Sequence, residues 1–349
     1  MRLLTFSRRG QKTKRIGAVG VGGVVDLTPA YAAFVDTQGE TKAYEFAAVR
    51  IPHEMIEFIE GGAGSLEAAK LAIEYVKESS HQRGIESESL LLSEEEITFR
   101  PPVLRPGKII CAGMNYKEHL ADSGRGAPER PVAFSQFPST LIGHNGELLS
   151  TAMSQALDYE IELAVVIGKK GKYIPINEAQ DYIYGYTIFN DVSDRNIQVV
   201  EMKNGLLLGA KNMDTFGPIG PYLVTKDEIE NPHNLNIVLK VNGGVRQKSN
   251  TKYMIYNVFE QIAYWSSLMT LYPGDIFSTG TPAGVAMGRK PSPEPYYLKP
   301  GDVVEAEIDG LGVLVTRVIK EEYKKLLQNS LLNLFSQDEL FIVQIFIQR

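Results

Sequence analysis

Two glutamates one residue apart, Glu160 and Glu162, stand just ahead of the apolar run Leu163 to Ile167. Side chains alternate across a β-strand, so both carboxylates point to one face while Tyr159, Ile161 and Leu163 point to the other. Carboxylates held that close raise each other's pKa unless a cation lies between them, which makes a hard divalent metal the natural occupant. Asp191 ends a second strand-like run, YIYGYTIFND, and offers a third oxygen ligand. An all-carboxylate set with open positions suits Mg²⁺ or Mn²⁺ better than zinc. The same alternation is also what a half-exposed strand with a solvated face shows, and spacing alone leaves both readings standing.

The segment CAGMNYKEHLAD adds acid–base chemistry. Gly113, Asn115 and Tyr116 mark a turn, and His119 and Asp122 are three residues apart, which on a helical turn puts them on one face. A carboxylate there orients an imidazole and holds its proton; a surface histidine near a helix start is the plainer reading. Lys211 follows an apolar run and precedes a Gly/Pro segment, a place for a cation that neutralises an anion. Arg195 and Gln198, just after Asp191, can bind a substrate carboxylate or carbonyl. Thr281, in Gly280-Thr281-Pro282-Ala283-Gly284, lies in a rigid turn that either faces an anionic ligand or only shapes a loop.

Other signatures fail on inspection. In the cluster Gly17, Gly20, Gly22 and Gly23 the third glycine of a dinucleotide loop would fall at Val25, and His53-Glu54 lacks its second histidine because Glu57 stands there. Cys111 lies within the apolar run Ile109 to Ala112 and reads as a buried inert thiol. No catalytic case arises for His53, His81, His144 or His233.

The elements that must carry these groups follow from pattern. Leu3 to Pro29 reads as a small antiparallel β unit, Pro52 to Ser80 as two helices around the break Gly61 to Gly64, and Ser79 to Glu96 with Pro101, Pro102 and Pro106 as a linker. Beyond it the β-branched and aromatic runs predict a mostly β unit with one helix from Met254 to Leu271. The expected division is a small N-terminal α+β domain and linker at 1–100, a catalytic domain at 101–320 and a C-terminal extension at 321–349 that begins as an amphipathic helix. The fold class is α+β, mainly β.

With 349 residues, 44% of them hydrophobic, the chain can bury a sizeable core, and a net charge of -6 gives no attraction to nucleic acid or anionic lipid. No membrane span and no secretory signal are legible, and a single cysteine rules out an intrachain disulfide, so a cytoplasmic protein is expected.

Taken in order, CAGMNYKEH, DYEIELAVVIGK, GYTIFNDVSDRNIQ, GAKNMDTFGPIGP, VNGGVRQ, LYPGDIFSTGTPAGV and LKPGDVVEAEIDGLG resemble the fumarylacetoacetate hydrolase superfamily from about Lys108 to Val315. Seven ordered motifs favour the metal-ligand reading over the solvent-face one. The resemblance implies a mixed β-sandwich roll, a homodimer, and a Mg²⁺ or Mn²⁺ site with Glu160, Glu162 and Asp191 as ligands. It implies His119, supported by Asp122, as the base, Lys211 as a catalytic cation, and Arg195, Gln198 and Thr281 as substrate contacts. Three positions depart from the pattern: Asp122 where glutamate is usual, Gln136 where lysine is common, and Gly244 where glutamate is usual. The expected reaction is hydrolysis of a C–C bond in a small 1,3-dicarbonyl acid, an acylpyruvate or fumarylpyruvate, through a metal-stabilised enolate, as in aromatic catabolism. Alternatives on the same site are an oxo-acid decarboxylase, a 2-hydroxymuconate-type isomerase or tautomerase, and a sugar-acid dehydratase. An alternative of another class is a non-catalytic oxo-acid binding protein.

Overall fold

A computed structural model of the chain describes residues 1–321 apart from 21, 79–81, 124–125, 152–153 and 155; the side chains of 121–123 also lie outside the description. The expected C-terminal extension therefore falls outside the described residues beyond Glu321.

Strands β1 (Arg2–Arg8), β2 (Arg15–Gly20) and β3 (Gly23–Asp26) form the antiparallel meander that the alternation implied. It stops at Asp26 rather than Pro29. Leu27 opens α1 (Leu27–Thr37), with Pro29 in the first turn, where a missing N–H costs nothing. Helix α2 (Ala43–Arg50) follows. Alanines supply much of the buried face of both helices (Ala30, Ala32, Ala33, Ala43 and Ala47), so no strong apolar stripe marks them in the sequence. Helices α3 (Met55–Glu60) and α4 (Gly62–Glu78) match the expected pair, and Gly62, at φ +55°, makes the break. The stretch expected as a linker supplies β4 (Leu91–Leu92), and β5 (Ile97–Arg100) follows at once; they pair with β3 and β1.

The remainder comprises β6 (Ile109–Gly113), α5 (Lys117–Ser123), β7 (Val132–Ser135), β8 (Leu141–Ile142), β9 (Gly146–Ser150), β10 (Leu157–Asp158) and β11 (Ile161–Ile167). Next come β12 (Ile183–Asn190), β13 (Ser193–Asp194), α6 (Arg195–Lys203), β14 (Gly217–Thr225), β15 (Asn236–Val241) and β16 (Gly244–Asn250). Helix α7 (Val258–Leu268), β17 (Ile276–Ser278), β18 (Val303–Ile308) and β19 (Gly312–Lys320) complete it. The helix expected over Met254 to Leu271 is shorter because Asn257 and Glu260 form a capping box that fixes its start. Helix α5 covers the helical turn expected at His119 and Asp122, whereas α6 was not expected. Helix α6 is polar on average and exposes Val199 and Val200, and Asp194 caps it by accepting from Ile197 N–H at 3.0 Å.

The strands form a large sheet in the order β4-β3-β2-β1-β14-β12-β11-β17-β6-β7, with β5 on β1 and β8 on β14, and a smaller sheet β16-β15-β18-β19-β9. The fold is α+β with strands dominant. Residues 1–100 are tied to the rest through β1, which pairs antiparallel with β14. Strand β11 lies deep in this arrangement and is buried on both faces. Leu163, Val165 and Ile167 pack toward Ile237, Leu239 and Ile308 of the smaller sheet, while Ala164 and Val166 join a cluster with the N-terminal helices. A strand covered on both sides is rigid, and the site is built at its start.

Candidate metal centre and cavity

The register of β11 on β12 sets Ile161 opposite Asn190, which brings Glu160 beside Asp191. Asp191 N–H donates to the Glu160 carbonyl at 2.9 Å, and Glu160 N–H donates to Asn190 Oδ1 at 2.9 Å. Glu160, Glu162 and Asp191 each offer a carboxylate oxygen, all within 4.8 Å of one another. Their exposures are 7%, 1% and 1%, so the solvent-face reading of the alternation does not hold.

Each carboxylate is held differently. Glu162 Oε2 accepts from Ser278 Oγ and from Gly280 N–H at 2.8 Å, and among the described residues no salt bridge reaches it. Burial, then the charges of Asp191 and Glu160, push its pKa well above the usual carboxylate range. Burial pushes Glu160 the same way, but Lys211, Arg195 and His119 outweigh it and hold this carboxyl below the usual range. Asp191 is pushed up, chiefly by burial, with the Glu160 charge adding to it and Lys211 opposing. Three buried carboxylates, one without a cation, form an oxygen-only donor set that fits a hard divalent ion such as Mg²⁺ or Mn²⁺.

Lys211, 1% exposed, is delivered by the 3₁₀ turn Gly209–Lys211. Its Nζ lies 2.8 Å from Glu160 Oε2 and from Asp191 Oδ2, donates to the Asp191 carbonyl at 3.0 Å, and sits 5.2 Å from the Phe134 ring centre. Burial works against its charge, but Asp191 and Glu160 keep the ammonium protonated. Arg195 spends its guanidinium on protein groups: Nη2 donates to Glu160 Oε1 at 2.5 Å, Nε to Asp158 Oδ2 at 2.7 Å and Nη1 to Gln198 Oε1 at 2.7 Å. Thr281 Oγ1 donates to the Ile161 carbonyl at 3.0 Å and accepts from Gln247 Nε2 at 2.9 Å. Both residues line the cavity, yet their strongest hydrogen bonds hold its walls.

His119 is carried by α5, which Asn115 anchors. Asn115 Nδ2 donates to the Thr279 carbonyl at 2.7 Å and to the Tyr256 carbonyl at 3.0 Å, while Oδ1 accepts from Tyr256 N–H at 2.8 Å. Gly280, at φ +94°, allows this approach, since a Cβ there would lie 2.9 Å from that of Asn115. The side chain of Asp122, the expected partner of His119, lies outside the described residues. Cys111 is fully buried, and burial followed by the charges of Asp191 and Glu162 pushes its thiol far up, as an inert thiol requires.

These groups meet in one cavity of about 590 Å³. Glu160, Glu162, Asp191, Lys211, His119, Arg195, Gln198 and Thr281 all line it, so every described sequence-derived site residue converges there. Phe134, Phe137, Met202 and Leu206 to Leu208 form an apolar wall, and among the described residues none from 1–100 lines the cavity. Sequence reasoning missed the supporting roles of three groups, of which Gln136 stands out in the sequence only as a departure from the family pattern. Asp158, which holds Arg195 and accepts from Ala286 and Met287 N–H at 2.7 and 3.0 Å, shares the parity of Glu160 and Glu162, a signal that was there to read. Gln136 Nε2 donates to Asp191 Oδ1 at 2.5 Å, and Gln247 Oε1 accepts from Ile161 N–H at 3.0 Å. Neither contact has a sequence signal, because the partners are 55 and 86 positions apart.

Comparison with known proteins gives the same picture. Residues 108–319 match the family model "Fumarylacetoacetate (FAA) hydrolase C-terminal". The chain is 41% identical over 298 residues to a mitochondrial oxaloacetate tautomerase, FAHD2A, of Bos taurus, covering 85% of this chain and 84% of the relative. A fumarylacetoacetate hydrolase structure from Exiguobacterium antarcticum is similar at TM-score 0.70 and 30% identity, covering 92% of this chain and 100% of that one. The maleylpyruvate hydrolase of Sphingobium sp. SYK-6, in complex with manganese(II) and pyruvate, is similar at TM-score 0.66 and 27% identity, again over 92% and 100%. Among the described residues no helix is long and apolar enough to cross a membrane. With its ordered motifs, its buried tricarboxylate cavity and these matches, the chain belongs to the fumarylacetoacetate hydrolase family, a family of enzymes acting on small oxo-acids.

Proposed function

We propose that this protein is a divalent-metal-dependent tautomerase that moves a proton between the carbon and oxygen of a small β-oxo acid of the oxaloacetate type. The observation that carries the reading is the buried cluster of Glu160, Glu162 and Asp191, gripped by Lys211 in a cavity that His119 also lines. Similarity to oxaloacetate tautomerases, higher than to any of the hydrolase structures compared, supports this reaction over the C–C hydrolysis expected from the motifs.

Glu160, Glu162 and Asp191 would hold the ion, Mg²⁺ or Mn²⁺, which would supply Lewis-acid polarisation of a substrate carbonyl. Lys211 keeps its proton and faces the negative charge that develops on oxygen. His119 takes the proton from the enol hydroxyl and returns one to the carbon between the two carbonyls, so atoms balance with no water consumed. Arg195 holds the Glu160 oxygen that Lys211 does not, Gln198 lines the cavity and would donate to the substrate through its amide nitrogen, and Thr281 ties its turn to the Ile161 carbonyl. Asp122 supports His119 in this scheme.

A second reading is hydrolysis of an acylpyruvate, which needs the same groups and one water. The cavity favours it in one respect: its apolar wall has room for an acyl substituent. The experiment follows the enol absorbance of oxaloacetate and of a short acylpyruvate with Mn²⁺ present and then chelated. Metal-dependent loss with no new acid is tautomerisation; pyruvate and a carboxylic acid mean hydrolysis, and CO₂ release means decarboxylation. Absence of turnover on all of them leaves the binding-protein reading. The reading includes a homodimer, which sedimentation tests. Cell fractionation decides between the cytoplasm and the mitochondrion named for the bovine relative.

A further inference from the structure

Arg195 and Lys211 grip opposite oxygens of Glu160, yet they come from separate segments, the start of α6 and the 3₁₀ turn Gly209–Lys211. The turn has no capping side chain of its own: Leu208, at its N-cap, makes no side-chain hydrogen bond. The first N–H groups of a helical turn need acceptors. Glu201 supplies them, its carboxylate accepting from Leu208, Gly209 and Ala210 N–H at 3.0, 2.6 and 3.2 Å. The Glu201 carbonyl also accepts from Asn204 and Leu206 N–H, so one residue both ends α6 and receives the returning chain. Gly209 admits the carboxylate, since a Cβ there would lie 3.1 Å from Glu201 Oε1.

We propose that Glu201 is a positioning residue: by capping the Gly209–Lys211 turn from α6, it locks the two segments together and so sets where Lys211 meets Glu160 and Asp191. Charge-assisted bonds to backbone N–H groups are short and strong, and three of them converge on one carboxylate. The clasp also fixes Met202, Leu206 and Leu208, which line one wall of the cavity. The inference rests on the reading that Lys211 and Glu160 belong to the site.

The test is a double-mutant cycle of Glu201→Ala and Lys211→Met, read as kcat and KM on oxaloacetate and as Mn²⁺ affinity by calorimetry. Glu201→Ala is expected to lower kcat by about tenfold, the lower end for a residue that supports a site through its ligands, with a smaller change in KM. Glu201→Gln should fall between, because its amide nitrogen opposes the N–H donors. In the Lys211→Met background the Glu201 substitution should cost less than about twofold more, as coupled residues do. Equal factors in both backgrounds, or a lower Tm with kcat and Mn²⁺ affinity unchanged, would overturn the proposal. If Glu201→Ala does not fold, Glu201→Gln takes its place in the cycle. If the wild type neither binds Mn²⁺ nor turns over, the functional reading fails. The clasp is then judged by amide exchange at Leu208, Gly209 and Ala210, which Glu201→Gln must accelerate.

Discussion

The Lys211 ammonium lies 2.8 Å from Glu160 Oε2, and both side chains are almost wholly removed from solvent. Lys211 is a fixed charge there, since the carboxylates around it more than offset the cost of burying it. Replacing it leaves those carboxylates buried with one fewer cation. Lys211→Met should reduce turnover at least about a hundredfold, the scale for losing one donor aimed at a developing oxyanion. Steady-state kinetics with saturating Mn²⁺ and a circular dichroism spectrum on the same sample check it; near-normal kcat would remove Lys211 from the mechanism.

His119 shares the cavity with the metal ligands without being one of the three clustered carboxylates. His119→Ala should therefore cut kcat by about 10²- to 10⁴-fold while Mn²⁺ binding persists. Calorimetry beside kinetics separates the two effects. Loss of metal binding together with activity would show that His119 belongs to the ligand set instead.

Gln136 orients Asp191 from outside the cluster. Its Nε2 donates to Asp191 Oδ1 at 2.5 Å while its Oε1 accepts from Thr140 Oγ1 at 3.0 Å, which fixes the amide's direction. Gln136→Leu keeps the volume and deletes the donor, and Mn²⁺ affinity should drop by about 10- to 100-fold. Unchanged affinity would mean that the ladder alone sets Asp191.

His144 links acid sensitivity to the packing of residues 1–100. It lies edge-on to Phe99 at 4.8 Å, and its Nδ1 accepts from Val315 N–H at 3.1 Å, so a proton on Nδ1 would face a donor. Burial lowers its pKa from 6.5 to about 4, against the opposing pull of the Val313 backbone. The folded state thus binds fewer protons than the unfolded state between those values. The contribution is full above the unfolded pKa and is lost as pH falls through the folded one, a loss on the order of 2 kcal/mol given partial exposure. Thermal melts at acid and neutral pH should show this slope in the wild type and a shallower one in His144→Asn.

The sequence by itself determined the strands, since β-branched runs bounded by glycine and asparagine carry their own period, and with them the pairing of Glu162, on β11, with Glu160, one residue ahead of that strand. It also marked Asp191, His119 and Lys211, because each sits where an apolar run ends or turns. Helices α1 and α2 stayed hidden, as their faces are largely alanine, and α6 as well, because it is short and mostly polar and buries only Arg195. Only the tertiary structure decided what the cations do. Arg195 and Thr281 have the chemistry of substrate contacts, but the fold places Asp158, Glu160, Ile161 and Gln247 within their reach and directs their hydrogen bonds to the protein. The contacts of Gln136 with Asp191 and of Lys211 with Glu160 join residues 55 and 51 positions apart. Such contacts follow from strand order and register, which local pattern does not encode.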